Sequence, residues 1–366
     1  MAPPARTDTG GLPVAWRFPL LILGMLSLLA GVAAGLFRAG WPVPLPRPEL
    51  VAVHGPLMVA AFFGTVIGLE RAVALGRRWG YLAPLCAGLG GFLLIAGVPE
   101  QVALTFMAGS AGVLTLVTVF AAARQPSLHA RVLTIASALA LLAAIAWLTG
   151  QHQLAIAGWI GFLVLTIAGE RLELSRFLPP SPYARQIFVV IVGIHLLAIL
   201  LSAVSAAGFS LLGASLLGMA LWLLRQDVAR RTVRQQGLTR FIAVCLLSGY
   251  FWLLSGGLLF LLQPWLAGLT WLTDAALHSI FVGFVLAMVF GHAPIIFPAV
   301  VRVALRYHAG FYVPLLLLHL SLLLRVAGDL AGLAELRAMG GAGNALCLAL
   351  FILTMLQAAL RGKKKL

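Results

Sequence analysis

Charge is what this chain has least of. Of its 366 residues only 10 are Asp or Glu, and charged residues of both signs make up 10%, against 62% hydrophobic residues. Soluble domains carry about 25% charged residues, so a water-exposed fold of this length is excluded. Cysteine is nearly absent too. Cys86, Cys245 and Cys347 form no C-x-x-C or C-x-x-C-H pattern, which argues against a disulfide framework and against covalently attached haem. All three fall inside apolar runs and read as small core residues. Nothing between those runs is long enough to be a soluble domain. The longest connections are "RQPSLHAR", "RLELSRFLPPSPYAR" and "RQDVARRTVRQQGLTR" on the cytoplasmic side, and the external loops are mostly short and uncharged except for the Pro-rich "WPVPLPRPEL" at 41–50.

What is present is a series of apolar runs near 20 residues, the length of a helix that crosses a bilayer. Twelve are predicted, at about 18–37, 51–70, 80–98, 102–123, 132–150, 154–170, 186–206, 209–224, 241–262, 270–292, 311–328 and 342–360. The first is too long for a signal peptide's apolar region and eleven more follow it. The expected fold is all-α: a polytopic membrane protein whose residues 1–366 form a single transmembrane domain. Residues 1–16 and the basic 361–366 are expected to be short tails.

The excess of 25 Lys and Arg over 10 acidic residues would suit a nucleic-acid partner, but its distribution points elsewhere. With the N-terminus inside, cytoplasmic segments hold Arg6, Arg17, Arg71, Arg77, Arg78, Arg124, Arg131, Arg171, Arg176, Arg185, Arg225, Arg230, Arg231, Arg234, Arg240, Arg302, Arg306, Arg361 and Lys363, Lys364 and Lys365. That is 21 of the 25, leaving Arg38, Arg47, Arg325 and Arg337 outside. This asymmetry is the positive-inside rule. It predicts an even number of spans, both termini in the cytoplasm, a bacterial inner membrane, and anionic lipid rather than nucleic acid as the partner of the positive charge.

A weak repetition appears between spans four apart. The second begins near His54 and ends in "GLERAVALGR"; the sixth begins near His152 and ends in "AGERLELSR". Their Glu-Arg pairs stand at 70–71 and 170–171, 100 residues apart. The tenth runs in the same sense and carries His278 early. Three four-helix units are the expected arrangement.

An ionisable group in hydrocarbon needs a partner, a cavity or a job. His54 and His278 lie near the outer ends of the second and tenth spans, at depths differing by about 5 Å. Two imidazoles on different helices at one depth suit the two axial positions of a haem iron. The small residues Gly55, Ala60, Ala61, Gly64, Gly283 and Ala287 offer space beside them, although close helix packing is the commoner use of such residues. Asp274, one turn before His278, is placed to orient that ring. His195 and His319 sit near the middle of the seventh and eleventh spans and are candidates for a second metal site. His292 lies about 21 Å beyond His278, ahead of Pro294 and Pro298, where an unwound helix end is expected with His292 facing a cavity or capping a carbonyl. Glu70-Arg71 and Glu170-Arg171 read as charge pairs anchoring their own helix ends, or as a proton-input or lipid-headgroup site. Asp329 is expected to pair with Arg325. His129, His152 and His308 fall at span boundaries and are expected to be solvated.

Twelve spans with outward-side histidines on the second and tenth resemble the haem–copper oxidase superfamily. The segments "LHSIFVGFVLAMVFGHAPIIFP" and "VHGPLMVAAFFGTVIGLERAVAL" resemble the NnrS-like membrane proteins, a group distantly similar to subunit I of those oxidases and linked to haem, copper and nitric-oxide stress. The resemblance implies low-spin haem ligation by His54 and His278. It also exposes departures. An active oxidase or nitric-oxide reductase has His-x-His on the tenth helix, adjacent histidines on the seventh and another within the sixth. Here Ala276 precedes His278 by two, His195 stands alone, and His152 is at the outer edge. A complete binuclear centre is therefore not expected, nor is full oxidase or reductase activity.

The leading expectation is a membrane protein holding haem b, with copper at a second site as an additional possibility, acting in electron transfer or protection from nitric oxide beside a respiratory electron donor. The competing expectations are a secondary transporter of a small substrate, using His278, His292 and Glu70, and an assembly scaffold without redox chemistry.

Overall fold

A computed structural model describes residues 11–175, 181–266 and 268–363; Arg6, Arg176, Lys364 and Lys365, named above, lie outside the described residues, as do most of the two expected tails. Among the described residues twelve helices are long and apolar enough to cross a membrane. These are α1 (Val14–Arg38), α2 (His54–Leu75), α3 (Arg78–Ala96), α4 (Glu100–Arg124), α5 (Leu128–Leu148), α6 (His152–Leu174), α7 (Ala184–Leu201), α8 (Ala207–Gln226), α9 (Gly237–Leu262), α10 (Leu272–Val301), α11 (Ala309–Ala331) and α12 (Ala334–Gly362). No strand occurs among the described residues. The protein is an all-α multi-pass membrane protein.

Neighbours in sequence pack as neighbours in space, and the circuit closes where α1 meets α10 and α12. Helices α2, α6 and α10, four apart in order, meet inside it: α10 touches both α2 and α6, and side chains join α2 to α6 as described below. Of the twelve, α6 is the most enclosed, with 78% of its apolar window buried. Lipid-facing positions elsewhere keep large apolar side chains exposed, as on α7 with Ile187, Val190, Leu197 and Leu200. That pattern inverts the rule for water-soluble helices and is what a hydrocarbon solvent demands.

Two local features position the site. Helix α2 starts at His54 itself, with Pro56 in the first turn, where a missing N–H costs nothing. Just beyond it, Leu57–Phe63 forms a π-helix. In α10 the same thing happens after the other histidine: Ser279–Leu286 is a π-helix immediately following His278. Such wide turns are rare and tend to mark functional sites.

The tenth span departs from expectation. It does not unwind after His292. The helix continues through Pro294 and Pro298 to Val301 and stops at Arg302, which takes a left-handed φ of 55°. Arg17 Nη1 reaches across from α1 to the Val300 carbonyl at 2.8 Å, giving the last turn of the helix a buried donor.

Candidate functional site

His54 and His278 line one cavity of about 240 Å³. Its walls come from α1, α2, α5, α6, α10, α11 and α12, and they carry the flat side chains Phe63, Trp147, Trp159 and Phe281. The Trp147 and Trp159 rings lie 5.1 Å apart at 30°. Arg38 and Ala52, both exposed, stand at its mouth.

The hydrogen bonds of the two histidines determine which nitrogen is left for a ligand. His54 Nδ1 is 2.7 Å from the Gly31 carbonyl, and His278 Nδ1 is 2.8 Å from the Asp274 carbonyl. A carbonyl only accepts, so in each ring Nδ1 carries the hydrogen and donates. In the neutral imidazole the lone pair is then on Nε2. Neither Nε2 has a hydrogen-bond partner among the described residues. Binding one ring nitrogen to a carbonyl while the other stays free is how metal-ligating histidines are oriented.

The first of these rings is seated by glycine. Gly31 and Gly35 stand one turn apart on α1 in "GVAAG", and small residues at that spacing let a neighbour approach the helix backbone. A Cβ on Gly35 would sit 2.8 Å from His54 Cε1. Of the small residues expected to open space, one lines this cavity, and Ala60 and Gly64 line a separate small pocket between α2, α4, α5 and α6. Gly55 lines the cavity, whereas Gly64 faces Ala87, Gly283 faces Trp252 and Leu322, and Ala61 and Ala287 are wholly buried in packing. Gly35 and Gly341, which also line the cavity, were missed; the signals for them were "GVAAG" and the glycine run "GGAG" at 340–343.

The second ring is seated by charge. Asp274 lies in the first turn of α10, where a carboxylate suits the helix dipole. Its Oδ2 is 3.3 Å from His278 Nδ1, 2.9 Å from Arg325 Nη2 and 3.6 Å from Arg337 Nε. Asp329 pairs with Arg337 at 3.0 Å. The expected Asp329–Arg325 pair on α11 is thus replaced by two cross-helix pairs, because Arg325 turns towards α10 and Arg337 from α12 takes its place. The expected role for Asp274 is shared: its main-chain carbonyl takes the imidazole N–H, while its carboxylate leans on Arg325.

His195 and His319 are not brought together. His195 is fully buried, with Nδ1 2.8 Å from Ser215 Oγ and Nε2 against Gly161. His319 Nδ1 accepts from Trp252 Nε1 at 3.0 Å, and Nε2 is 2.9 Å from Ser248 Oγ. With both nitrogens engaged, His319 has no lone pair to offer a metal, and the two histidines share no partner. Among the described residues no group of three or more His, Cys, Asp or Glu is placed to hold a metal ion.

The other ends of α2, α6 and α10 hold a different polar cluster. Adjacent residues on a helix point about 100° apart, and the Glu-Arg pairs accordingly connect helices rather than closing on themselves. Arg71 bonds Glu170 on α6, with Glu70 farther off at 3.9 Å. Arg171 Nη2 donates to His292 Nε2 at 3.0 Å, and His292 Nδ1 donates to the Met288 carbonyl at 2.6 Å. His292 therefore caps a carbonyl, one of the two roles expected of it. Nearby, Asp227 accepts from Tyr250 Oη at 2.6 Å and from Ala229 N at 2.7 Å. Of the boundary histidines, His152 is exposed and packs on Trp147 with ring centroids 4.4 Å apart. His129 instead reaches Glu173 at 3.7 Å, and His308 caps Gly310 N at 3.2 Å.

No curated protein matches this sequence at a significant level. A family profile does match, over residues 17–360, which is nearly the whole chain, and the protein accordingly belongs to the family described as Domain of unknown function (DUF8744).

Proposed function

We propose that this protein binds haem b in the cavity between α2 and α10, with His54 and His278 as axial ligands. It would act in electron transfer or in protection from nitric oxide, in a bacterial inner membrane with the cavity on the periplasmic side. One observation carries the reading. Two imidazoles from distant parts of the chain line a single cavity, each with Nδ1 held by a carbonyl and Nε2 left free. The donor set fits iron, for which imidazole is a good ligand. Four aromatic walls suit a flat macrocycle, and Arg38 and Arg325 supply positive charge for its carboxylates. About 240 Å³ is below the usual range of ligand sites, so the cavity would have to widen to hold the group. When bound, the iron supplies a one-electron couple, whose potential depends on its axial ligands and on burial. The residues of this chain fix ring orientation, exclude water through the tryptophans and place charge at the rim. The NnrS-like resemblance belongs to this reading. A copper site at His195 and His319 does not, because His319 has no free nitrogen.

The test is direct. Protein purified from haem-supplied cells is expected to show a b-type absorption band, and His54→Ala or His278→Ala is expected to abolish it. A colourless wild type that takes up no added haem would overturn the proposal.

A second reading, a secondary transporter, draws on a specific asymmetry. The same three helices are closed by an ion pair and a hydrogen bond at one end and open into a cavity at the other, as in a carrier open to one side. It predicts that loosening the Arg71–Glu170 pair changes which end of α2, α6 and α10 a soluble cysteine reagent can reach, with no haem bound.

A further inference from the structure

The closed end of α2, α6 and α10 contains a bond that can form in one sense only. His292 Nδ1 is 2.6 Å from the Met288 carbonyl. A carbonyl only accepts, so that nitrogen holds the hydrogen and Nε2 holds the lone pair. Across from it stands Arg171 of α6, buried at 8% exposure, whose Nη2 donates to that lone pair at 3.0 Å. A guanidinium offers donors, has no acceptor and keeps its charge. Arg171 Nε has no partner, and His292 is the one acceptor its side chain reaches among the described residues.

A proton added to His292 removes this bond. Nε2 then aims an N–H at a guanidinium, donor against donor and cation against cation, in surroundings of low dielectric. The Met288 bond survives, because Nδ1 donates already. The charges acting on the ring are Arg171 and Glu170 of α6 and Asp227 of the connection between α8 and α9. Around them, Arg71 of α2 holds Glu170, with Glu70 beside it, and Tyr250 of α9 donates to Asp227. The Cys245 side chain of α9 packs at Gly291, and Arg17 of α1 bonds the Val300 carbonyl farther along. A charged ring is therefore repelled by Arg171 and drawn to the two carboxylates. Helix α6 packs on α10 along Ser279–Leu286, beside the cavity, so at the closed end the Arg171–His292 bond is the tie that side chains add.

We infer that His292 is a proton-binding site that works as a latch: neutral, it ties α10 to α6 through Arg171; protonated at Nε2, it lets α10 go. The ligand is a proton, taken up at the end of the bundle away from the cavity mouth. This goes beyond both readings above, since the latch makes the closed end respond to pH whether the cavity takes haem or a carried substrate.

The separation of the two helix ends can be measured by pulsed electron paramagnetic resonance between two nitroxide labels. Ser175→Cys on α6 and Ile295→Cys on α10 stand about a turn beyond Arg171 and His292. Cys86→Ala removes the half-buried native thiol, and Cys245 and Cys347 are buried. The full-length protein in detergent, with no haem or substrate added, is read at about pH 8 and about pH 5, either side of the ordinary imidazole value. With Arg171 and His292 intact, one short distance is expected at the higher pH. At the lower pH the ratio of long to short distances should rise about tenfold or more, the worth of one lost hydrogen bond to a charged group. His292→Gln supplies both an acceptor and a donor and takes up no proton, so its distance should not respond to pH. Arg171→Gln can meet either form of the ring and should not respond either, which keeps the test alive if one variant fails to fold. A single distance at both pH values in the protein with Arg171 and His292 intact disproves the latch. A response that persists in either folded glutamine variant places the titration elsewhere and disproves it equally.

Discussion

The two ends of α2, α6 and α10 are built from the same kinds of residue and reach opposite outcomes. At one end Arg71 bonds Glu170 and Arg171 bonds His292, tying three helices together, with the Arg171 Nε left without a partner. At the other, the Nε2 atoms of His54 and His278 lack protein partners, and both residues line a cavity. Paired polar groups in a membrane bundle act as staples; polar groups left unmet around space mark where something else binds. The difference lies in the partners and not in the residue types, which is why histidine alone was a poor guide. His292 and His319 are fully used inside the protein, and His54 and His278 are not.

Breaking the closed end should have the largest effect. Arg71→Ala leaves Glu170 without its cation, and removing one member of such a pair costs about 3–5 kcal/mol. Thermal unfolding in detergent should shift down by several degrees, while any haem spectrum keeps its shape. A change in axial ligation would show that the two ends are not independent.

At the open end, Asp274→Asn removes the negative partner of Arg325 and Arg337 while keeping the main-chain carbonyl that orients His278. Loss of a partner that orients a ligating histidine costs about 10–100-fold in affinity, so haem should dissociate faster, and melting should also fall because Arg325 loses its carboxylate. Unaltered dissociation would mean that the carbonyl alone positions the ring.

Gly35→Ala sharpens the comparison from the packing side. The added methyl would meet the His54 ring at 2.8 Å, so the ring must shift and haem affinity should fall about tenfold, the size of an imposed off-rotamer strain. Gly40→Ala would not serve as a control despite open space around it, because its φ of 97° disfavours any side chain. Gly109, with nothing near it, serves instead, and Gly109→Ala should leave haem binding untouched.

The smallest effect is expected at His319. Replacing it with Gln breaks its bonds to Trp252 and Ser248, at about 1 kcal/mol each, and leaves the haem signal unchanged. A lost or shifted signal would return His319 to the list of ligands.

The membrane class, the twelve spans and the two cavity histidines were legible in the sequence, because length in hydrocarbon and the cost of burying a charge are one-dimensional signals. The ends of α10 and α12 were not: Pro294 and Pro298 suggested unwinding, but tertiary donors such as Arg17 support the helix to Val301. Partner choice was also hidden. Arg71 and Arg325 each have a plausible acidic neighbour in sequence and bond a different one in space, since helix azimuth and helix neighbours decide the pair. The glycines that seat His54 and expose Arg325 lie on α1 and α12, far from either histidine in the chain, and only the closed circuit of helices brings them to the site.

The most direct test of the central claim is low-temperature electron paramagnetic resonance on oxidised, haem-loaded protein. Ligation by both His54 and His278 predicts a low-spin ferric signal of the bis-imidazole kind, lost on either single alanine substitution. A high-spin signal in the wild type, or a low-spin signal that survives both substitutions, would contradict it.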